Sequence, residues 1–200
     1  MNQNLKSYID FILSLIILII SLPLLILVSF ILIVCQRRPI FFTHKRLGLN
    51  CKEFTMIKFR TMVNSKSISA KNDETRITRL GSFLRKTSID ELPVLLNVLK
   101  GDMSLVGPRP MPVKYLNRFS DFQKKRFSVK PGITGLAQIK GRNQLSWTKR
   151  FQYDVQYTIE KSIKLDIIII IKTIFIVFLR KGVNPKNGEI MSEFFGSEDK

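Results

Sequence analysis

The 200-residue chain carries 33 Lys and Arg against 15 Asp and Glu, a formal net charge of +18, and 45% of it is hydrophobic. That hydrophobic share excludes wholesale disorder, and the charge directs the chain to anionic partners: nucleic acid, anionic lipid or phosphorylated small molecules. Cys35 and Cys51 form no C-x-x-C pair and His44 stands alone, which excludes a metal site built from them and a secreted disulfide framework. The reducing, cytoplasmic side is therefore the default compartment.

The first predicted element is an anchor. Phe11 to Cys35 contains no charge, long enough for a membrane segment and too long for a signal peptide core. Pro23, near its middle, removes one helical hydrogen bond and clashes with the carbonyl four residues back; the Ser21 hydroxyl could return a bond to a freed carbonyl. Two geometries follow. A mildly kinked span puts the N-terminus across the membrane from Arg37, Arg38, Lys45 and Arg46, whereas a sharp bend gives two half-helices whose outer ends share one side. Lys6 and Asp10 offset each other, so charge does not decide, and helix physics alone favours the span.

Next, "PIFFTHKRLGLNCKEFTMIKFRTM" reads as two strands joined by a turn around Gly48 and Asn50. Alternation on the second strand puts Lys58 and Arg60 on one face, where two aligned cations suit a phosphate and equally suit a solvated face. Asn64 to Thr75 reads as a polar loop. From Arg76 the spacing of Ile77, Leu80 and Leu84 predicts a helix, and "DELPVLLNVLKGD" predicts a second, with Pro93 near its start and Gly101 past its end. In "GDMSLVGPRPMP", prolines on both sides restrain Arg109, which suits a bidentate phosphate contact; a surface ion pair is the plain alternative. "KPGITGLAQIKGR" is a loop in which Gly132, Gly135 and Gly141 permit tight turns or close approach. "LDIIIIIKTIFIVFLRKG" is too short and too charged for a second span, and reads as an interfacial or packed helix, with a strand as the alternative. No GxGxxG, Walker A, RNP, helix-turn-helix or zinc-finger pattern is present.

"TSIDELP" places Asp90 and Glu91 side by side in a chain poor in acids. Ser88 and Glu91 match a capping box, which predicts a helix start with a carboxylate at its positive end.

"RITRLGSFLRKTSIDELPVLLNVLKGDMSLVGPRP" together with "KPGITGLAQIKGR" resembles the bacterial sugar transferase family, the monotopic phosphoglycosyl transferases, in a short form without an extra N-terminal membrane domain. The likeness runs from Tyr8 to about Lys181. It implies transfer of a sugar-1-phosphate from a UDP-sugar to undecaprenyl phosphate, with release of UMP, in a magnesium-dependent ping-pong cycle. Asp90 is then the nucleophile and Glu91 its partner in metal ligation or proton handling. Arg85 and Arg109 lie in the active site, with Lys58 and Arg60 near it as phosphate-binding cations. The resemblance reverses the reading of the anchor, implying a re-entrant helix broken at Ser21 and Pro23; here Leu22 stands before the proline, where many members have Ser.

The expected fold is α+β: a re-entrant anchor over residues 1–36, and a mostly helical catalytic domain over 37–200 with a small β-hairpin or sheet and interfacial amphipathic helices. It sits on the cytoplasmic face of the bacterial plasma membrane, in contact with membrane lipids, and a homodimer is compatible with it. No nucleic-acid partner is expected. The competing class is a membrane-anchored basic module that binds nucleic acid or regulates; a catalytically dead scaffold is disfavoured by the intact Asp90–Glu91 pair.

Overall fold

The computed structural model describes residues 3–63, 76–141, 144–179 and 193–196, so the loop expected over 64–75 lies outside the described residues. Helix α1 (Gln3–Gln36) carries the apolar segment, and helical geometry continues through Pro23. No interruption into two half-helices is therefore seen. The Ser21 hydroxyl donates to the carbonyl of Leu18, one residue before the carbonyl that Pro23 leaves without its usual donor. Most of the surface is apolar and open, Ile20 and Phe30 being 74% and 64% exposed. An apolar surface of that extent on a helical backbone is consistent with membrane association.

Both ends of α1 are tied to the rest of the molecule. Near its start, Lys6 donates to Asp166 at 2.5 Å and Asp10 accepts from the Ser104 hydroxyl at 2.6 Å. Near its end, Val28 and Leu32 pack with Phe59 and Leu84, and Gln36 donates to the Thr78 hydroxyl at 2.7 Å.

The hairpin forms where the alternating pattern and turn residues put it. Strand β1 (Phe41–Leu47) pairs antiparallel with β2 (Glu53–Phe59), and Asn50 takes the left-handed conformation (φ 52°) in the connection. The two-residue β4 (Met111–Pro112) adds to the free side of β1. Helix α2 (Arg79–Thr87) begins at Thr78, whose side chain accepts from the Gly81 N–H. The expected second helix is shorter than its sequence pattern. Ile89–Val94 is a 3-10 turn with Pro93 inside it, and α-helix follows only over α3 (Leu95–Leu99). Gly101 then turns the chain with φ +83°.

The second sheet is parallel: β3 (Ser104–Val106) beside β5 (Gly132–Thr134). Glycines make this contact possible. A Cβ on Gly132 would lie 2.0 Å from the Gly107 nitrogen, and one on Gly135 would lie 2.2 Å from the Gly107 carbonyl oxygen. Close approach, rather than turn conformation, is thus what Gly132 and Gly135 supply. After α4 (Asp121–Lys124) and α5 (Leu136–Lys140), Ser146 and Ser162 cap α6 (Trp147–Glu160) and α7 (Ile163–Phe178).

Helix α7 settles the isoleucine run as helix rather than strand. It buries Ile169 completely, bonds Thr173 to Thr134 at 2.6 Å, and leaves Ile167, Ile171, Ile174 and Phe175 exposed. One core gathers Leu95, Leu105, Val106, Leu136, Tyr157 and Ile169; another gathers Tyr115, Phe119, Phe127 and Phe151 with Phe194. The mostly helical α+β architecture with small sheets and a long apolar N-terminal helix agrees with the expectation.

Candidate active site

Asp90 and Glu91 sit on the 3-10 turn between α2 and α3. The flanking apolar residues explain their aim: Ile89 packs into the cluster of Phe59 and Leu84, and Leu92 into that of Leu95 and Tyr157. Ser88 adopts the left-handed conformation (φ 57°), ending α2 and reversing the chain just before the acids. Its side chain makes no capping hydrogen bond, and Glu91 points elsewhere, so the capping box is not formed. A six-residue 3-10 turn makes few aligned peptide dipoles, and the cations across the site outcompete a backbone N–H for the Glu91 carboxylate.

Those cations are Lys58 and Arg109. Lys58 Nζ donates to Glu91 Oε1 at 2.5 Å, and an Arg109 terminal nitrogen donates to the same oxygen at 2.8 Å. Burial raises the Glu91 carboxyl, but Arg109 and Lys58, through charge and hydrogen bonds, outweigh it and hold the group well below the usual carboxylate range. The same pairing raises Arg109. For Lys58, burial is the larger effect and lowers it, against the pull of Glu91.

Asp90 is the opposite case. It is 8% exposed, and no hydrogen bond or ion pair holds it among the described residues. Burial first, then the negative Glu91, push its carboxyl up to about 6; Lys58, Arg85 and Arg109 oppose the rise. Desolvation thus outweighs the cations, yet Asp90 still titrates below neutral pH and is ionised there.

Arg85 is exposed on the last turn of α2, where its Nε donates to the Thr61 hydroxyl at 2.9 Å and its charge acts on Asp90. Arg60 stands apart from this group. It lies one residue past β2, buried, and donates to the Arg37 carbonyl at 2.6 Å and to the Gln36 carbonyl. It thus caps the free carbonyls at the end of α1, the usual place for a cation on a helix C-terminus. Lys58, Arg85, Asp90, Glu91 and Arg109 are brought together; Arg60, Ser21 and Pro23 are not.

The sequence reading missed the support behind Arg109. The Arg109 carbonyl accepts from Arg126 at 2.7 Å, and Arg126 forms a two-nitrogen contact with Asp154 Oδ2 at 2.7 and 3.1 Å. Both side chains of this pair are 1% exposed. The guanidinium lies 5.3 Å from the ring centres of Phe127 and Phe151. Nothing local in the sequence links residues 28 positions apart. The β1–β2 register also places Arg46 on the face of Lys58.

Among the described residues there is no group of three or more His, Cys, Asp or Glu side chains that could hold a metal. A divalent cation would have Asp90 and the Oε2 atom of Glu91, which no described hydrogen bond engages. Magnesium commonly binds through one or two carboxylates, with substrate phosphate and water completing its shell, and these residues fit that pattern.

A paired acid dyad faced by a lysine and two arginines, on a turn packed against an apolar helix, suits phosphoryl chemistry. The chain belongs to the bacterial sugar transferase family, whose model matches residues 1–180. It is 48% identical over 163 residues to an uncharacterized sugar transferase of Bacillus subtilis, covering 80% of this chain and 81% of that one. It is 40% identical over 201 residues to the undecaprenyl-phosphate galactose phosphotransferase of Salmonella typhimurium, covering 90% of this chain but 42% of that protein. An exopolysaccharide production protein of Sinorhizobium fredii is 35% identical over 196 residues, with 88% and 87% covered. The chain therefore spans most of some relatives and less than half of others. Membership in this family sets aside the nucleic-acid-binding alternative.

Proposed function

We propose that this chain transfers a sugar-1-phosphate from a UDP-sugar to undecaprenyl phosphate at the cytoplasmic face of the bacterial plasma membrane, in exopolysaccharide synthesis. The observation that carries the reading is Asp90: a buried carboxylate with no hydrogen bond or ion pair among the described residues, beside a second carboxylate that Lys58 and Arg109 hold ionised. A carboxylate already engaged by two cations is a poor nucleophile, and one left unengaged is a better one. An Asp90 oxygen attacks the sugar-bearing phosphorus of the donor, and the bond from that phosphorus to UMP breaks. An oxygen of undecaprenyl phosphate then attacks the same phosphorus and displaces the aspartate. Both products keep phosphorus at its original oxidation level, and the enzyme returns to its starting state.

Arg85 and Arg109 face the phosphates and offset the charge that two anionic substrates bring to an anionic nucleophile. Magnesium bound by Asp90 and Glu91 would neutralise further phosphate charge. Lys58 and Arg109 fix Glu91, so its second oxygen keeps one position through the cycle. The reading is tested by UMP release from UDP-galactose and UDP-glucose with undecaprenyl phosphate and magnesium, galactose being the sugar in the Salmonella relative's name. Release with neither sugar, nor with N-acetylhexosamine donors, would count against it.

The anchor over residues 1–36 is proposed to be re-entrant, with residues 37–200 as the catalytic domain. The support is that both ends of α1 bind the same body, Lys6 and Asp10 on one side of Pro23 and Gln36 on the other. A helix crossing a hydrocarbon core about 30 Å thick would carry its first turns away from that body. A cysteine near residue 3, in a background without Cys35 and Cys51, should resist an impermeant thiol reagent in intact cells; labelling there would mean an ordinary span.

A further inference from the structure

Lys58 is not alone on its face of the hairpin. In the β1–β2 register Phe42 opposes Lys58, His44 opposes Met56 and Arg46 opposes Phe54. Cross-strand partners and residues two apart share a face, so Phe42, His44, Arg46 and Lys58 form one row. On its other side Arg46 opposes Pro112 of β4, three residues after Arg109. Arg46 therefore stands between the strand of Lys58 and the loop of Arg109.

Its charge is unanswered. Its Nε is buried without a hydrogen-bond partner, and no hydrogen bond or ion pair engages the rest of the guanidinium among the described residues. Glu91, the carboxylate whose charge acts on it, is already taken by Lys58 and Arg109. Burial and then Arg109 pull Arg46 down to about 10, so it stays protonated at neutral pH. His44 beside it cannot answer the charge: burial and the neighbouring cations lower it to about 4, leaving it neutral. A half-buried guanidinium without a partner is costly in isolation and is stabilised by an anion.

Position on the strand distinguishes which anion. Phe41 and Phe42 are exposed and follow closely on the end of α1, so with α1 as the anchor that end of the hairpin lies nearest the lipid. Arg46 lies four residues beyond Phe42, about 13 Å along the strand away from that end. On that arrangement the lipid-borne phosphate would reach the first end and the soluble nucleotide the second. We propose that Arg46 is a donor-binding residue, its guanidinium engaging the diphosphate of the nucleotide on the side that leaves as UMP. This rests on the transferase reading above and deepens it.

Binding of UDP to the full chain in detergent, with magnesium, provides the test, comparing wild type with Arg46→Gln and Arg46→Lys. The glutamine variant should weaken UDP roughly 10- to 100-fold, the range for a lost hydrogen bond to a charged group, and lysine should recover part of it. KM for the UDP-sugar should rise similarly, while transfer from preformed phosphosugar enzyme to undecaprenyl phosphate keeps its rate. Since Arg46 has no described partner to lose, Arg46→Gln should melt no lower than wild type. Unchanged UDP affinity overturns the assignment, and a lower melting temperature with that result makes Arg46 structural. A defect confined to the lipid-phosphate step assigns Arg46 to the acceptor and overturns it too. If wild type neither binds UDP nor releases UMP, the transferase reading itself fails, and this assignment with it.

Discussion

Two acid–arginine pairs meet at Arg109, and they do different work. Asp154 and Arg126 are sealed at 1% exposure, stacked among aromatic rings, and spend one further Arg126 bond on the Arg109 carbonyl. Glu91 and Arg109 are more open, at 21% and 39% side-chain exposure, and share their carboxylate with Lys58. The sealed pair exchanges solvation for rigidity. The open pair keeps acceptor and donor groups for substrate, and its neighbour Asp90 has no partner among the described residues. One fixes the backbone of Arg109, and the other uses its side chain.

If this division is right, substitutions on the two sides should fail differently. The largest effect is expected at Asp90. Asp90→Asn keeps the size but removes the anionic oxygen, so turnover should fall by orders of magnitude with the fold intact. Because burial raises the folded carboxyl to about 6, well above its ordinary value, ionised Asp90 costs stability at neutral pH. Without divalent cation, wild type should therefore melt no higher than Asp90→Asn at pH 7.5, and should gain on it as pH falls through about 6. A wild type clearly more stable than the variant at pH 7.5 would mean that Asp90 is paired in the folded state.

On the sealed side, Asp154→Ala leaves Arg126 buried and uncompensated, which typically costs roughly 3–5 kcal/mol. Denaturant or thermal unfolding should show that loss, with activity falling together with the folded fraction. A stable but inactive Asp154→Ala would move this pair into the chemistry and break the comparison.

A smaller effect is expected at Arg109 itself. Arg109→Lys keeps the charge and the reach toward Glu91 but loses the planar fork, so activity should drop roughly 10-fold or more with little change in unfolding. If lysine performs like arginine there, only charge matters and the backbone support from Arg126 has no catalytic consequence.

Much of the fold was legible because it is local. The hairpin followed from alternation around Gly48 and Asn50, and α2 from the spacing of Leu80 and Leu84. The close approach of Gly132 and Gly135 to Gly107 realises a use of glycine that the loop allowed. The site residues were named through a motif, and four of the cations and acids that the motif supplied, Arg85, Asp90, Glu91 and Arg109, do converge with Lys58.

Where the sequence misled, competition between local and distant partners is the reason. Ser88 and Glu91 match a capping box, but two cations from other elements take the carboxylate. Arg60 continues the alternation of Lys58, yet β2 ends before it and the carbonyls at the end of α1 claim it. The Arg126–Asp154 pair left no sign at all, since contacts across 28 residues have no periodicity. Arg46 was available from the hairpin register and was passed over, because its significance is the lack of a partner, which only the folded arrangement reveals.

If Asp90 carries the phosphosugar between donor and lipid, a covalent adduct on Asp90 must form before any lipid is added. Purified protein is incubated with UDP-sugar and magnesium in the absence of undecaprenyl phosphate, then digested and its peptides weighed. UMP release of no more than one equivalent per active site is expected, with a phosphosugar mass added to the peptide containing Asp90. Adding undecaprenyl phosphate should discharge that adduct. Full turnover on adding lipid, with no adduct on any peptide beforehand, would contradict this role of Asp90 and indicate direct transfer between the two substrates.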